Sequence, residues 1–155
     1  MRLTRALMAA CALLLAVAVP HAAADIGIRS IDQRVASTGQ IVKLTASGYL
    51  GPRPWKPYPV AMISARHAPQ PYPCRGGYCS PIRRLETLRR PPYLFLGYVD
   101  WRPVKGLGES GLGILRFRVP RVKPGPYLFA LFCETCARGQ KGSLIIDPRL
   151  VLRIR

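Results

Sequence analysis

The stretch GQIVKLTASGY, residues 39–49, decides the fold class. Val42, Leu44 and Ala46 fall on one side of an extended chain, and Lys43, Thr45 and Ser47 on the other, because strand side chains alternate with a period of two. A helix would scatter the same apolar residues around its surface. The reading is a half-buried strand with one wet face. GILRFRVP (113–120) repeats the pattern, with Leu115, Phe117 and Val119 inward and Arg116 and Arg118 outward. YLFLGYVDW (93–101) and YLFALFC (127–133) are apolar on both sides, as central strands covered on both faces would be. VAMISA (60–65), SLII (143–146), LVLRI (150–154) and a first strand near Ile26 to Ile31 bring the total to about seven or eight. IRRLETLRR (82–90) has room for a helical turn or two. The pattern predicts one all-β domain built as an antiparallel sandwich.

Between Pro52 and Pro92 the rhythm breaks, with ten prolines in 41 residues. Proline has no N–H to give to a ladder, so much of this region is expected to be loop, edge or extended chain, interrupted by the strand at 60–65. The expectation is a long loop at about 66–92 that carries Cys74 and Cys79.

The first residues read as a secretory signal peptide. Arg2 and Arg5 precede an uncharged apolar block from Ala6 to Val19, and Ala22-Ala23-Ala24 supplies the small residues of a cleavage site. The block is shorter than the roughly 20 residues a spanning helix needs. Cleavage before Asp25 is therefore expected. Cys11 sits inside the block, so it does not read as a lipidation site. The mature chain, 25–155, keeps four cysteines, one histidine, and 22 of the 24 basic residues against all seven acids, a formal balance of +15. Such a charge speaks to partners and solubility, not to fold. Arginine spread along a chain also arises from codon usage, and no run of five like charges decides between the two origins.

PGPYLFALFC (124–133) resembles the P-G-x-Y turn and following strand of bacterial immunoglobulin-like domains, and STGQIVKLTASGY (37–49) resembles one of their early strands. With CETCARGQKGSLI (133–145), the order of motifs is similar to small exported immunoglobulin-like β-sandwich proteins of high-GC Gram-positive bacteria, a generally uncharacterised group. The resemblance implies an immunoglobulin-like sandwich in an exported setting. Tyr127 precedes Cys133 by six residues, so neither the antibody-type inter-sheet disulfide nor its tyrosine corner carries over.

Catalytic motifs fail on context. GLGESG (106–111) satisfies G-x-G-x-x-G but runs into the strand ILRFRV instead of opening the helix whose N-terminus would hold a phosphate. His67 stands in a loop setting, and the seven acids show no spacing that pairs two on one surface. No catalytic residue, metal ligand or cofactor site is assigned.

The cysteines allow three readings. C-x4-C at Cys74 and Cys79 and C-x2-C at Cys133 and Cys136 fit a four-cysteine metal site, a thiol-disulfide redox pair at 133/136, or structural disulfides. Export to an oxidising compartment favours disulfides. Residues i and i+3 of a strand lie about 10 Å apart, beyond the limit of about 7 Å for a disulfide, so a 133–136 bond requires the strand to end in a tight turn. All three connectivities remain open, and proximity in sequence makes 74–79 with 133–136 the expectation. Surface contact is the leading function, with anionic cell-envelope polymers or acidic glycans as partners, and nucleic acid as an unspecific possibility. The expected contact residues are Arg53, Trp55, Lys56, Arg83, Arg84, Arg89 and Arg90, where basic side chains alternate with aromatic ones or crowd the long loop. The rival for Trp55 and Trp101 is packing beneath that loop.

Overall fold

The computed structural model describes residues 26–70, 72–74, 77–80, 84–133 and 143–155, with the side chains of 72–74, 77, 78, 80 and 143 left out. Its strands are β1 (Ile26–Ile31), β2 (Val35–Ala36), β3 (Ile41–Tyr49), β4 (Tyr58–Ser64), β5 (Tyr72–Cys74), β6 (Gly77–Ser80), β7 (Tyr93–Pro103), β8 (Ser110–Arg118), β9 (Gly125–Cys133) and β10 (Ser143–Ile154). A 3-10 helix at Leu85–Arg89 is the helical turn expected in that stretch. The protein is all-β, as the alternation predicts.

The architecture departs from two separate antiparallel sheets. One mixed sheet runs in the order β1-β3-β8-β7-β4-β9-β10-β6-β5. β2 pairs in parallel with the end of β10, which is the parallel element. The sheet curls into a half-barrel, so that β1 at one edge approaches β10 in the other arm. β7 makes the curl possible by pairing twice. Its first part pairs with β4, from Tyr93 opposite Ile63 to Val99 opposite Tyr58, and its last part pairs with β8, from Asp100 opposite Ile114 to Pro103 opposite Gly111. The ladder shifts between Val60 and Ala61, opposite Gly97, whose φ of 139° lies where side chains other than glycine are strained.

Folding the sheet back on itself encloses the main core. Val42 and Leu44 of β3 and Leu115 and Phe117 of β8 meet Val60 and Met62 of β4, Phe129 and Leu131 of β9, and Leu152 of β10. Phe117 and Phe129, on strands that are not neighbours in the sheet, touch edge to face with centroids 5.8 Å apart. The outer face of β4, β9 and β10 is apolar too. It is covered in part by the 3-10 helix, whose Leu88 is fully buried among Ile63, Phe132, Leu144 and Ile146.

Alternation settles the single-sided strands and misleads on one double-sided one. β4 and the end of β9 are buried on both faces, but in β7 Phe95 and Tyr98 are exposed. The two segments SLII and LVLRI form one strand, interrupted where the β9 register shifts between Ile146 and Val151. In that interruption Arg149 donates to both oxygens of Asp147, at 2.9 and 2.8 Å. The stretch 66–92 is not simply loop, since it includes the β5–β6 hairpin, added to the sheet beside β10, and the 3-10 helix.

Close approach makes glycine obligatory at Gly113 in β8. A Cβ there would stand 2.1 Å from Val99 Cγ1 and 3.0 Å from Trp101 Cε3, and both side chains are buried. Gly113→Ala is expected to lower stability by about 1–3 kcal/mol in denaturant unfolding, the usual range for overpacking. At Asp147 the hydrogen bonds from Arg149 hold the carboxyl below its ordinary 3.8. The stabilisation this lends is present above pH 3.8 and is lost as the pH falls through the lowered value. The unfolding midpoint of the native chain should therefore drop more steeply below about pH 4 than that of Asp147→Asn, with the two converging in acid.

Candidate functional site

The structure divides the contact residues expected from sequence between two places. Trp55 follows β3 and is partly buried against the main core; its Nε1 donates to the Gly51 carbonyl at 2.8 Å. The Arg53 guanidinium stacks over the Trp55 ring at 5.0 Å, and Lys56 is exposed beside them. A Cβ built on Gly111 would lie 3.3 Å from both Trp55 and Trp101, so the two indoles pack at the same end of β7 and β8. Packing, the rival reading for the tryptophans, describes both of them.

The second place is the 3-10 helix. Arg89 donates to the Tyr98 hydroxyl at 2.9 Å and lies over the Phe95 ring at 5.4 Å, while Phe95 and Tyr98 meet edge to face. Arg84 and Arg90 are exposed at the two ends of the same helix, and Arg83 lies outside the described residues. Phe95 and Trp101 are six residues apart on β7, about 20 Å at the rise of an extended strand. The expected residues do not form one patch.

A denser cationic surface lies elsewhere, on the outward face of β3, β8 and β7. Register places Lys43 directly opposite Arg116 and Ile41 opposite Arg118. In the next rows Thr45 faces Ile114, which faces Asp100, and Ser47 faces Leu112, which faces Arg102. Arg29 of β1 joins from the side, its Nε donating to Ser47 Oγ at 2.7 Å. Ile41, Leu112 and Ile114 stand exposed between the cations. Like charges directly opposite each other destabilise a ladder; among the described residues two acids adjoin these rows, Asp100 opposite Ile114 and Asp32, which exchanges hydrogen bonds with the backbone of Lys43. The alternation of residues 39–49 and 113–120 marks each cation as outward. Only the pairing of two strands about 70 positions apart brings them side by side.

The acids are largely committed to local structure. Asp32 accepts from the Lys43 backbone N–H at 2.9 Å, Glu109 accepts from the Tyr49 hydroxyl, and Asp147 pairs with Arg149. Among the described residues no group of three or more histidine, cysteine and acidic side chains is placed to hold a metal ion. No helix among them is long and apolar enough to cross a membrane.

Cys79 and Cys133 are fully buried. They are not bonded to each other. β6 and β9 flank β10, with Cys79 opposite Ile145 and Cys133 opposite Ser143. That separates them by two strand spacings, roughly 9–10 Å, and by an offset along β10, beyond the disulfide limit of about 7 Å. The Cys74 side chain and Cys136, which decide the local pairing, lie outside the described residues.

Neither a protein-family model nor a curated protein matches the chain. Non-reducing digestion with peptide mapping should place Cys79 and Cys133 in separate crosslinked peptides; one peptide pair joining them would contradict the β6-β10-β9 register.

Proposed function

We propose that the protein is exported, is not an enzyme, and works by surface contact with anionic polymers of the cell envelope or with acidic glycans. The observation that carries the reading is the outward face of β3, β8 and β7. Lys43 and Arg116 sit side by side there, with Arg118, Arg29 and Arg102 around them. An unliganded sheet gains nothing from apposed cations, whereas a polyanion laid across them relieves the repulsion and releases its own counterions. Arg116 and Arg118 are about 7 Å apart along the strand, a spacing suited to successive charges on a polymer. The signal-peptide reading of residues 1–24 supplies the compartment and makes nucleic acid the less apt polyanion. In this proposal the two facing arms are a variant of the immunoglobulin-like sandwich that the sequence motifs resemble, and the cysteines pair locally, 74 with 79 and 133 with 136, as staples.

A poly(glycerol phosphate) chain tests the contact, with neutral dextran as the control. Binding should be detectable at low salt, fall steeply as salt rises, and be absent for dextran. The triple variant Lys43→Gln, Arg116→Gln, Arg118→Gln should bind at least about tenfold more weakly and with a shallower salt dependence, while its unfolding midpoint is kept or rises. A native chain that ignores every polyanion at low salt would end the proposal. Loss of binding in Arg53→Gln, Lys56→Gln, Arg89→Gln, but not in the triple variant, would return the contact to the residues marked in the sequence.

A further inference from the structure

A cleft lies where three neighbouring strands end, and polymer contact makes no use of it. β4 is antiparallel to both β7 and β9, so its last residues stand beside their first, with Ile63 opposite Tyr93 and Ser64 opposite Tyr127. The turn after β4 and the segments leading into β7 and β9 enclose a cleft of about 520 Å³. That volume is in the range of small-molecule sites, about 300–1,000 Å³.

The lining has two chemically distinct parts. Pro91, Pro92, Pro124 and Pro126 line it together with Tyr93, Tyr127, Leu94 and Val122, and Ser64 and Gly125 complete it. Arg66, His67 and Lys123 stand at the same cleft, and no acidic side chain lines it among the described residues. The site is thus apolar over most of its surface and electropositive at the cations.

Its walls are also fixed in place. Ala65 N–H donates to the Pro126 carbonyl at 2.9 Å, tying the turn after β4 to β9, and His67 N–H donates to Ser64 at 2.9 Å, closing that turn. The Tyr127 hydroxyl donates to the Lys123 carbonyl at 2.8 Å, which pins the approach to β9. Proline rings add walls with no rotamers to order and no N–H to satisfy. A ligand entering such a cleft loses little affinity to ordering the protein.

We propose that this cleft binds a small organic anion, a carboxylate carried on a compact, flat apolar body. The body lies against the proline rings, Leu94 and Val122. The carboxylate meets Arg66, whose planar fork matches two carboxylate oxygens, with Lys123 contributing charge and His67 a ring N–H donor. A polymer chain would be served by the open sheet face, and a neutral apolar compound would leave the three basic groups unanswered. The inference stands independently of the polymer contact.

Calorimetric titration with 1-naphthoate, and with 1-naphthamide as its neutral counterpart, tests it on the native chain. Naphthoate should bind saturably at one site, and the amide at least about tenfold more weakly, the factor that about 1.4 kcal/mol represents. Backbone amide shifts should move at Ala65, Arg66, His67, Val122 and Lys123. Arg66→Gln with Lys123→Gln should weaken naphthoate at least about tenfold, and Arg66→Lys should weaken it less. Both positions are exposed, so the variants should fold, and an unchanged unfolding midpoint checks this. The triple variant of the sheet face should bind naphthoate like the native chain. Absence of saturation, equal affinity for acid and amide, or shifts confined to β3 and β8 would each overturn the proposal.

Discussion

The double pairing of β7 is the constraint on which the rest of the structure depends. A strand of eleven residues that served one neighbour on each side along its whole length would extend an open sheet, leaving the apolar face of β3 and β8 uncovered. Instead β7 gives its first part to β4 and its last part to β8, and the change of partner turns one sheet into two facing arms. Gly97 sits at the shift in the ladder, and even there an added Cβ would come within 3.2 Å of Leu115 from the facing strand. The Phe117–Phe129 contact and the burial of Val42, Leu44, Met62 and Leu131 follow from that turn. Trp101 and Tyr58 meet edge to face, with centroids 5.6 Å apart, where the arms diverge.

Much of this was legible in the sequence because period-two alternation reports one-sided burial directly. Val42, Leu44, Leu115, Phe117 and Val119 are buried as their positions imply, and Arg116 and Arg118 point outward. Alternation carries no information about which strands pair. It therefore gave no sign that two arms would be joined through β7, or that Val35–Ala36 would lie parallel to β10. Apolar runs were ambiguous for a related reason. YLFLGYVDW and YLFALFC look alike in composition, but Ala130 and Phe132 on the outer side of β9 lie in the cluster around Leu88 of the 3-10 helix, whereas Phe95 and Tyr98 of β7 face outward beside Arg89. The proline-rich stretch concealed a hairpin because its strands are short, and the helical turn expected at 82–90 gave no sign of its packing because Leu85 and Leu88 act through tertiary contact, not local periodicity. The cleft was invisible for the same reason as the cationic face. Residues 64–67, 91–94 and 122–127 become neighbours only through the ladder.

Two kinds of electropositive surface coexist on the molecule, and their surroundings suit them to different partners. The face of β3, β8 and β7 is open and nearly flat in its chemistry, with rows of cations broken by Ile41, Leu112 and Ile114, so it offers many weak, interchangeable contacts. At the ends of β4, β7 and β9 the cations are few and the apolar walls close by, so orientation matters and one ligand pose is favoured. Charge balance in the sequence could announce only that anions are attracted. The fold distributes the attraction between an extended surface and a confined one.

The order of strands has a consequence for how the chain reaches this state. β7 with β8, and β9 with β10, are sequential neighbours that can close as hairpins, but β3 must find β8 and β4 must find β9 across sixty intervening positions. Closing such long loops costs entropy before any apolar burial repays it, so topologies of this kind fold in milliseconds to seconds, not microseconds. During that interval the hairpins expose strand edges that later lie inside the sheet. The outward arginines of β8 stand on one such edge strand, where their mutual repulsion opposes pairing with a second chain before β3 arrives.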